Sequence, residues 1–294
     1  MFVYYLMIIA ASVLLAISGA VLTKNYQLSA GTDFYATVML MLISGFVTVV
    51  FAVIVLFVSH EALEMAPYSI LIAGGSTMSV VIGMFCKLKA YEAGQVAIPN
   101  VFYSMGCVLI SCVWGLLFLK ETISFRQAMA ILWIIVAIML ITVKPGEKPN
   151  KRMLWIYLLI FIAGGMESVF SKIHQVEENY TTVNELSFLF WVGAIRAIIF
   201  VPFFLFLKQK QGKTRHLPTS AFASAVGMTV FGSIYCIVTL IVAAVLPITI
   251  TSPLSTGINV GLTAFLPWLI YKEKMSKQEI IGVILSMFGL MLYV

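Results

Sequence analysis

Two charged side chains stand where the sequence is otherwise apolar: Glu167 in IAGGMESVFSK and Arg196 in FWVGAIRAIIF. A charge near the centre of a bilayer costs roughly 2.5–3.5 kcal/mol on insertion scales, so it turns towards protein or water rather than lipid. On a helix Glu167 shares one face with Gly164, Ser168 and Ser171, small or polar neighbours that leave room for a ligand. A carboxylate in a partly dry cavity can hold a cation or carry a coupling proton, because the local dielectric is low. Arg196 offers the competing account, in which the two charges form a structural pair that never meets a ligand. On sequence alone both accounts stand.

A second polar set lies in two stripes. Asn100, Tyr103, Ser104, Cys107 and Ser111 are spaced i, i+3, i+4, i+7 and i+11, and so are Ser252, Ser255, Thr256, Asn259 and Thr263. That spacing places each set on one helical face. Asn100, Tyr103, Ser104, Ser255, Thr256 and Asn259 are therefore candidate substrate-binding residues beside Glu167, with Tyr235 as an aromatic wall and Arg196 as a coupling or structural charge. The plainer alternative is that these hydroxyls and amides bond between helices or back to their own backbone. Trp114 and Trp191 read as packing. The histidines (His60, His174, His216) are scattered, and the cysteines (Cys86, Cys107, Cys112, Cys236) form no CxxC. Neither a metal nor a cofactor is expected.

Long apolar elements must position these residues. Of 294 residues 62% are hydrophobic and 10% charged, too little charge to cover a water-soluble surface. The net charge of +6 suits anionic headgroups and gives no sign of nucleic-acid binding. Apolar runs cover roughly 2–23, 34–58, 68–89, 96–119, 126–143, 153–172, 185–207, 218–244, 248–271 and 278–294. Each approaches the roughly 20 residues a spanning helix requires. No basic residue precedes the first run, which reads as a membrane helix rather than a secretory signal. A multi-pass protein of the cell membrane is expected. P-loop, HExxH and GxSxG patterns do not occur, which argues against an ATP-driven pump and against an enzyme.

The widest polar break, KPGEKPNKR at 144–152, falls at mid-chain, and an offset of 152 aligns the halves without gaps. Tyr5, Leu6, Ile8 and Ala11 then match Tyr157, Leu158, Ile160 and Ala163. Asp33 matches Glu185, Gly75 matches Gly227, Lys120-Glu121 matches Lys272-Glu273, and Ser124 matches Ser276. The polar stripes match each other. Glu167 and Arg196 do not: Leu15 and Ser44 stand in their places. Units of 1–147 and 148–294, each of five helices, must point in opposite directions, because five is odd. The expected fold is therefore an all-α membrane protein of ten helices in two inverted repeats, with a site near the midplane between them.

The segments KAYEAGQVAIPNVFYSMGCVLISCVWGLLFLKETISFRQAMAILWIIVAIML and ITITSPLSTGINVGLTAFLPWLIYKEKMSKQEIIGVILSMFGLML resemble the EamA-type ten-helix members of the drug/metabolite transporter superfamily. Each has a proline early in the fourth helix of its unit (Pro99, Pro253), Lys-Glu at its end, and small residues spaced along the fifth. The resemblance implies a cavity lined by the first four helices of each unit, peripheral fifth helices, and alternating access. It implies a secondary transporter of a small organic solute: an amino acid, a metabolite or an organic cation. A coupling proton or cation is a further partner of that reading. A lipid-carrier flippase, or a membrane enzyme or interaction protein, is the alternative. One departure is that an arginine often present in the second helix of each unit appears only as Arg196. The resemblance also implies cytoplasmic termini. Lysine and arginine placement argues the reverse, since most would then lie outside.

Overall fold

The computed structural model describes residues 2–31, 33–92, 97–142, 153–211, 217–271 and 276–292, and among these the chain is helical with short connections. Helix α1 (Phe2–Ile17) runs through a π-turn (Ser18–Leu22) into α2 (Thr23–Ala30). There follow α3 (Phe34–Ser59), α4 (Pro67–Glu92), α5 (Ala97–Leu117) and α6 (Phe125–Thr142). The second half contains α7 (Leu154–Val176), α8 (Glu185–Gln211), α9 (Thr219–Val245), α10 (Ile248–Tyr271) and α11 (Lys277–Met291).

Six of these helices are long and apolar enough to cross a membrane, and three shorter apolar helices accompany them among the described residues. Their outward faces carry bare hydrophobic side chains, such as Phe57 at 82% exposure and Trp155 at 76%. Lipid hydrocarbon removes the penalty that water would impose on that coat, while the helices satisfy their own backbone groups.

Local sequence explains the helix boundaries. Asp33 caps α3, its carboxylate accepting from the N–H of Ala36 at 3.3 Å. Asn184 caps α8 through the N–H of Ser187 at 2.7 Å. The functional counterpart of Asp33 is thus Asn184, one residue before the Glu185 that the fixed offset pairs with it. Ser124 and Gln127 open α6 as a reciprocal capping box, with bonds of 2.8 and 3.3 Å. His60 ends α3 in the left-handed conformation, its N–H reaching back to Leu56 and Phe57. Polar residues beyond the first apolar run (TKNYQLSA) extend the helix to Ala30 instead of forming a loop, since Lys, Gln, Leu and Ala propagate helix well.

Helices open at equivalent places in each half: Phe2 and Leu154, Phe34 and Glu185, Pro67 and Thr219, Ala97 and Ile248, Phe125 and Lys277. Their packing is reciprocal too. α1 lies against α9 and α10, and α7 lies against α4 and α5; α3, α5 and α6 each pack on their own counterparts α8, α10 and α11. Small residues permit the tightest approach. A Cβ at Gly45 would lie 2.7 Å from the backbone nitrogen of Ala197 across the α3–α8 contact, so only glycine allows those two helices to meet there.

Candidate functional site

The site begins with how closely α7 can approach α5. A Cβ at Gly164 would strike the carbonyl oxygen of Tyr103, and one at Gly165 would strike Ile110. Gly164, expected to leave room for a ligand, instead allows two backbones to touch. The consequence is positional: Tyr103 stands beside Glu167, and its hydroxyl donates to Oε2 of that carboxylate at 2.8 Å. Cys107 seals the same seam, its thiol 3.0 Å from the Gly164 carbonyl.

Three more helices contribute to this centre. From α4, Lys87 lays its ammonium over the Tyr103 ring, 3.4 Å from the centroid. From α8, Arg196 directs Nη1 to the Ser44 hydroxyl on α3 at 3.4 Å, a long contact between residues one repeat apart, while its Nε is buried without a hydrogen-bond partner. From α9, Tyr235 comes within hydrogen-bonding reach of Ser255 on α10. The Glu167 charge acts on all of these groups: Lys87, Arg196, Tyr103 and Tyr235 each lie in its field.

A cavity of about 300 Å³ leads to this cluster from one end of the molecule, between α2, α3 and α4. Thr23, Gln27 and Thr37 line it together with Lys87 and Tyr103. The π-turn at Ser18–Leu22 precedes Thr23 and Gln27 on the same helix and shifts their register around its axis.

At the opposite end hydrogen bonds tie the helices together. Lys172 donates to the carbonyls of Ala243 (2.6 Å), in the last turn of α9, and of Leu246 (2.8 Å), its C-cap. Glu121 accepts the N–H groups of Ile248 (2.9 Å) and Thr249 (3.0 Å), the first of α10. A cation at a helix C-terminus and an anion at a helix N-terminus are the placements that helix dipoles favour. Beside them Glu64 locks the 60–66 segment to α8. Its N–H donates to Ser187 Oγ at 2.9 Å, its carboxylate accepts from the N–H of Asn184 at 2.7 Å, and its carbonyl accepts from Trp191 Nε1 at 3.0 Å. Ser69 accepts the N–H of Val183 at 3.0 Å and bonds the buried His174 at 3.0 Å. Tyr68 donates to Glu177 at 3.1 Å. That carboxyl is held below its usual range, chiefly by the backbone N–H of Asn179.

Of the residues singled out from sequence, Glu167 and Tyr103 meet directly, Tyr235 and Ser255 adjoin, and Arg196, bonded to Ser44, lies in the field of Glu167. Tyr103 also lines the cavity. Asn100, Ser104, Thr256 and Asn259 are half-buried along α5 and α10. Part of the stripes serves helix cohesion: Ser252 donates to the Cys107 carbonyl across the α5–α10 contact, Ser255 to Ser252 and Thr263 to Asn259 within their own helix. Lys87 went unread. It ends an apolar run, where lysines ordinarily extend towards headgroups. Lys172, Glu121 and Glu64 were also missed, because they act on distant backbone groups that only tertiary structure brings near.

Residues 150–294 match the EamA-like transporter family. No curated protein matches the chain. A solved structure described only as the crystal structure of a protein superposes over 98% of this chain and 97% of its own, with a TM-score of 0.77 and 13% identity. At that identity the likeness concerns the fold alone.

Proposed function

With residues 150–294 belonging to the EamA-like transporter family, we propose that the whole chain is a secondary transporter of a small organic solute. It works in the cell membrane by alternating access between two inverted five-helix units, 1–147 and 148–294. The observation that carries this reading is the contrast between the ends: a cavity between α2, α3 and α4 is lined by Lys87 and Tyr103 of the charged and aromatic cluster, and beyond it the 172–187 end is tied together by hydrogen bonds. A carrier with one gate open and one shut would have this form. Reciprocal helix contacts support the inverted repeat, because they allow the two ends to exchange roles when the units rock.

In this reading Glu167 and Tyr103 form the heart of the binding site, with Tyr235, Ser255 and Arg196 around them and Asn100, Ser104, Thr256 and Asn259 along the path between repeats. Glu167 and Arg196 are not a closed structural pair: Glu167 spends its bond on Tyr103 and Arg196 on Ser44. That leaves the carboxylate able to receive a positively charged group or a coupling proton.

The test is ligand-dependent thermal stability of the purified protein against amines, amino acids, sugars and nucleosides. A ligand at 100 times its dissociation constant stabilises by about 2.7 kcal/mol. Some class should raise the melting temperature in the wild type and fail to do so in Tyr103→Leu. Solutes that stabilise should also accumulate in proteoliposomes. Stabilisation by a polyprenyl phosphate alone would favour the flippase instead.

A further inference from the structure

The part of the cavity lined by Lys87 and Tyr103 has the chemistry of a cation site, and a cation already occupies it. The Lys87 ammonium sits over the Tyr103 ring at 3.4 Å from the centroid. The hydroxyl of that ring donates to Glu167 at 2.8 Å. A phenol that donates to a carboxylate becomes more electron-rich, which strengthens the attraction of its face for a positive charge. Lys87 lies five residues before the end of α4, on a flexible stem that could reach solvent, yet it turns inward and lines the cavity.

We infer that Lys87 is a tethered stand-in for the cargo: it fills the Tyr103–Glu167 position while the carrier is empty and is displaced when an alkylammonium group of the solute arrives. The inference rests on reading the cavity as the transport site, and it adds the substrate class and the means by which the empty carrier resets. A buried carboxylate with no positive neighbour is costly to carry through an occluded state. Arg196 lies in the field of Glu167 but bonds to Ser44, so the positive charge on the Tyr103 face comes from Lys87 when cargo is absent and from the cargo when it is present. The empty carrier can therefore return without a coupling cation. The partner repeat has no such device, since Thr239, Ser255 and Leu15 stand at the places of Lys87, Tyr103 and Glu167.

The test uses full-length protein in detergent micelles, titrated with n-butylammonium chloride at constant ionic strength, with n-butanol as the neutral control. Lys87→Met should bind n-butylammonium at least tenfold more tightly than the wild type, and adding Tyr103→Leu should abolish the gain. Equal or weaker binding by a monodisperse Lys87→Met protein would overturn the inference. Should Lys87→Met not fold, Lys87→Gln takes its place. A second measurement needs no variant: n-butyltrimethylammonium, which has no N–H to consume formaldehyde, should raise reductive methylation of Lys87 in the wild type, read by mass spectrometry, and unchanged labelling would count against displacement. If a neutral or anionic solute stabilises the wild type through Tyr103 while n-butylammonium does not bind Lys87→Met, the transport site stands and this inference falls. If no solute of any class stabilises the protein, both fall.

Discussion

The first helix of each half starts from the same place in the repeat and ends in a different environment. α1 carries only apolar and small side chains through its first turns, continues through a π-turn, and as α2 lines the cavity with Thr23 and Gln27. α7 instead carries Glu167 at the cluster, then Lys172 and His174 one and two turns on, both buried at the hydrogen-bonded end. Leu15, Ala20 and Leu22 occupy the corresponding places in the first half. The helical scaffold is thus repeated while the chemistry is not. Helix starts recur at the same offset in both halves, while the charge is held on α7 and not on α1.

That contrast can be broken by making the second half resemble the first. Gly165→Val copies in the residue that stands at position 13. Its side chain would run into Ile110 and the carbonyl of Gly106, where backbone cannot yield, so a loss of about 3 kcal/mol is expected. Chemical unfolding in mixed micelles measures it; a change below about 1 kcal/mol would contradict the packing described for α5 and α7. Lys172→Met comes next. It removes two charge-assisted hydrogen bonds to the α9 carbonyls, and about 2 kcal/mol should be lost. If the hydrogen-bonded end is the gate, the same variant should also raise maleimide labelling of an engineered cysteine at Val183, whereas a purely structural lysine would leave that labelling unchanged.

Glu121→Ala leaves the first N–H groups of α10 without an acceptor and should cost about 1 kcal/mol, the usual worth of a helix cap. A melting temperature equal to that of the wild type would remove Glu121 from the hydrogen-bonded end. Ser44→Ala should do least, under about 0.5 kcal/mol, because the Arg196 contact is long and Arg196 retains the field of Glu167. A loss comparable to that of Lys172→Met would show that the Arg196–Ser44 bond anchors α8 to α3 after all.

Sequence reveals the scaffold more readily than the site. The helix spacing was legible because the apolar runs recur with it, Pro67 and Thr219 or Phe125 and Lys277 opening helices 152 residues apart. Glu167 was visible because a carboxylate in an apolar run is expensive and thus conspicuous. Tyr103 was visible as part of a polar stripe, although its bond to Glu167 depends on glycines whose role as contact points emerges only when α5 and α7 are docked. Lys87 was concealed by position, since lysines near helix ends are ordinary. Lys172 and Glu121 were concealed by the kind of partner they have: a backbone terminus is present in every helix, and nothing local announces which distant side chain will cap it. The polar stripes show a further limit. Identical spacing gave Tyr103 a place in the cavity and gave Ser252 a bond to Cys107, because periodicity fixes a face and not what that face meets.

The central claim is that the Glu167 carboxylate works in the transport cycle rather than in holding the fold, and uptake by Glu167→Gln in proteoliposomes tests it directly. Glutamine keeps the volume and can still accept the Tyr103 hydrogen bond, so the variant should fold and melt close to the wild type. It should nonetheless fail to accumulate the solute that stabilises the wild-type protein, at every pH from about 6 to 8, a range around the ordinary histidine value of ~6.5. A well-folded Glu167→Gln protein with wild-type uptake across that range would contradict the account.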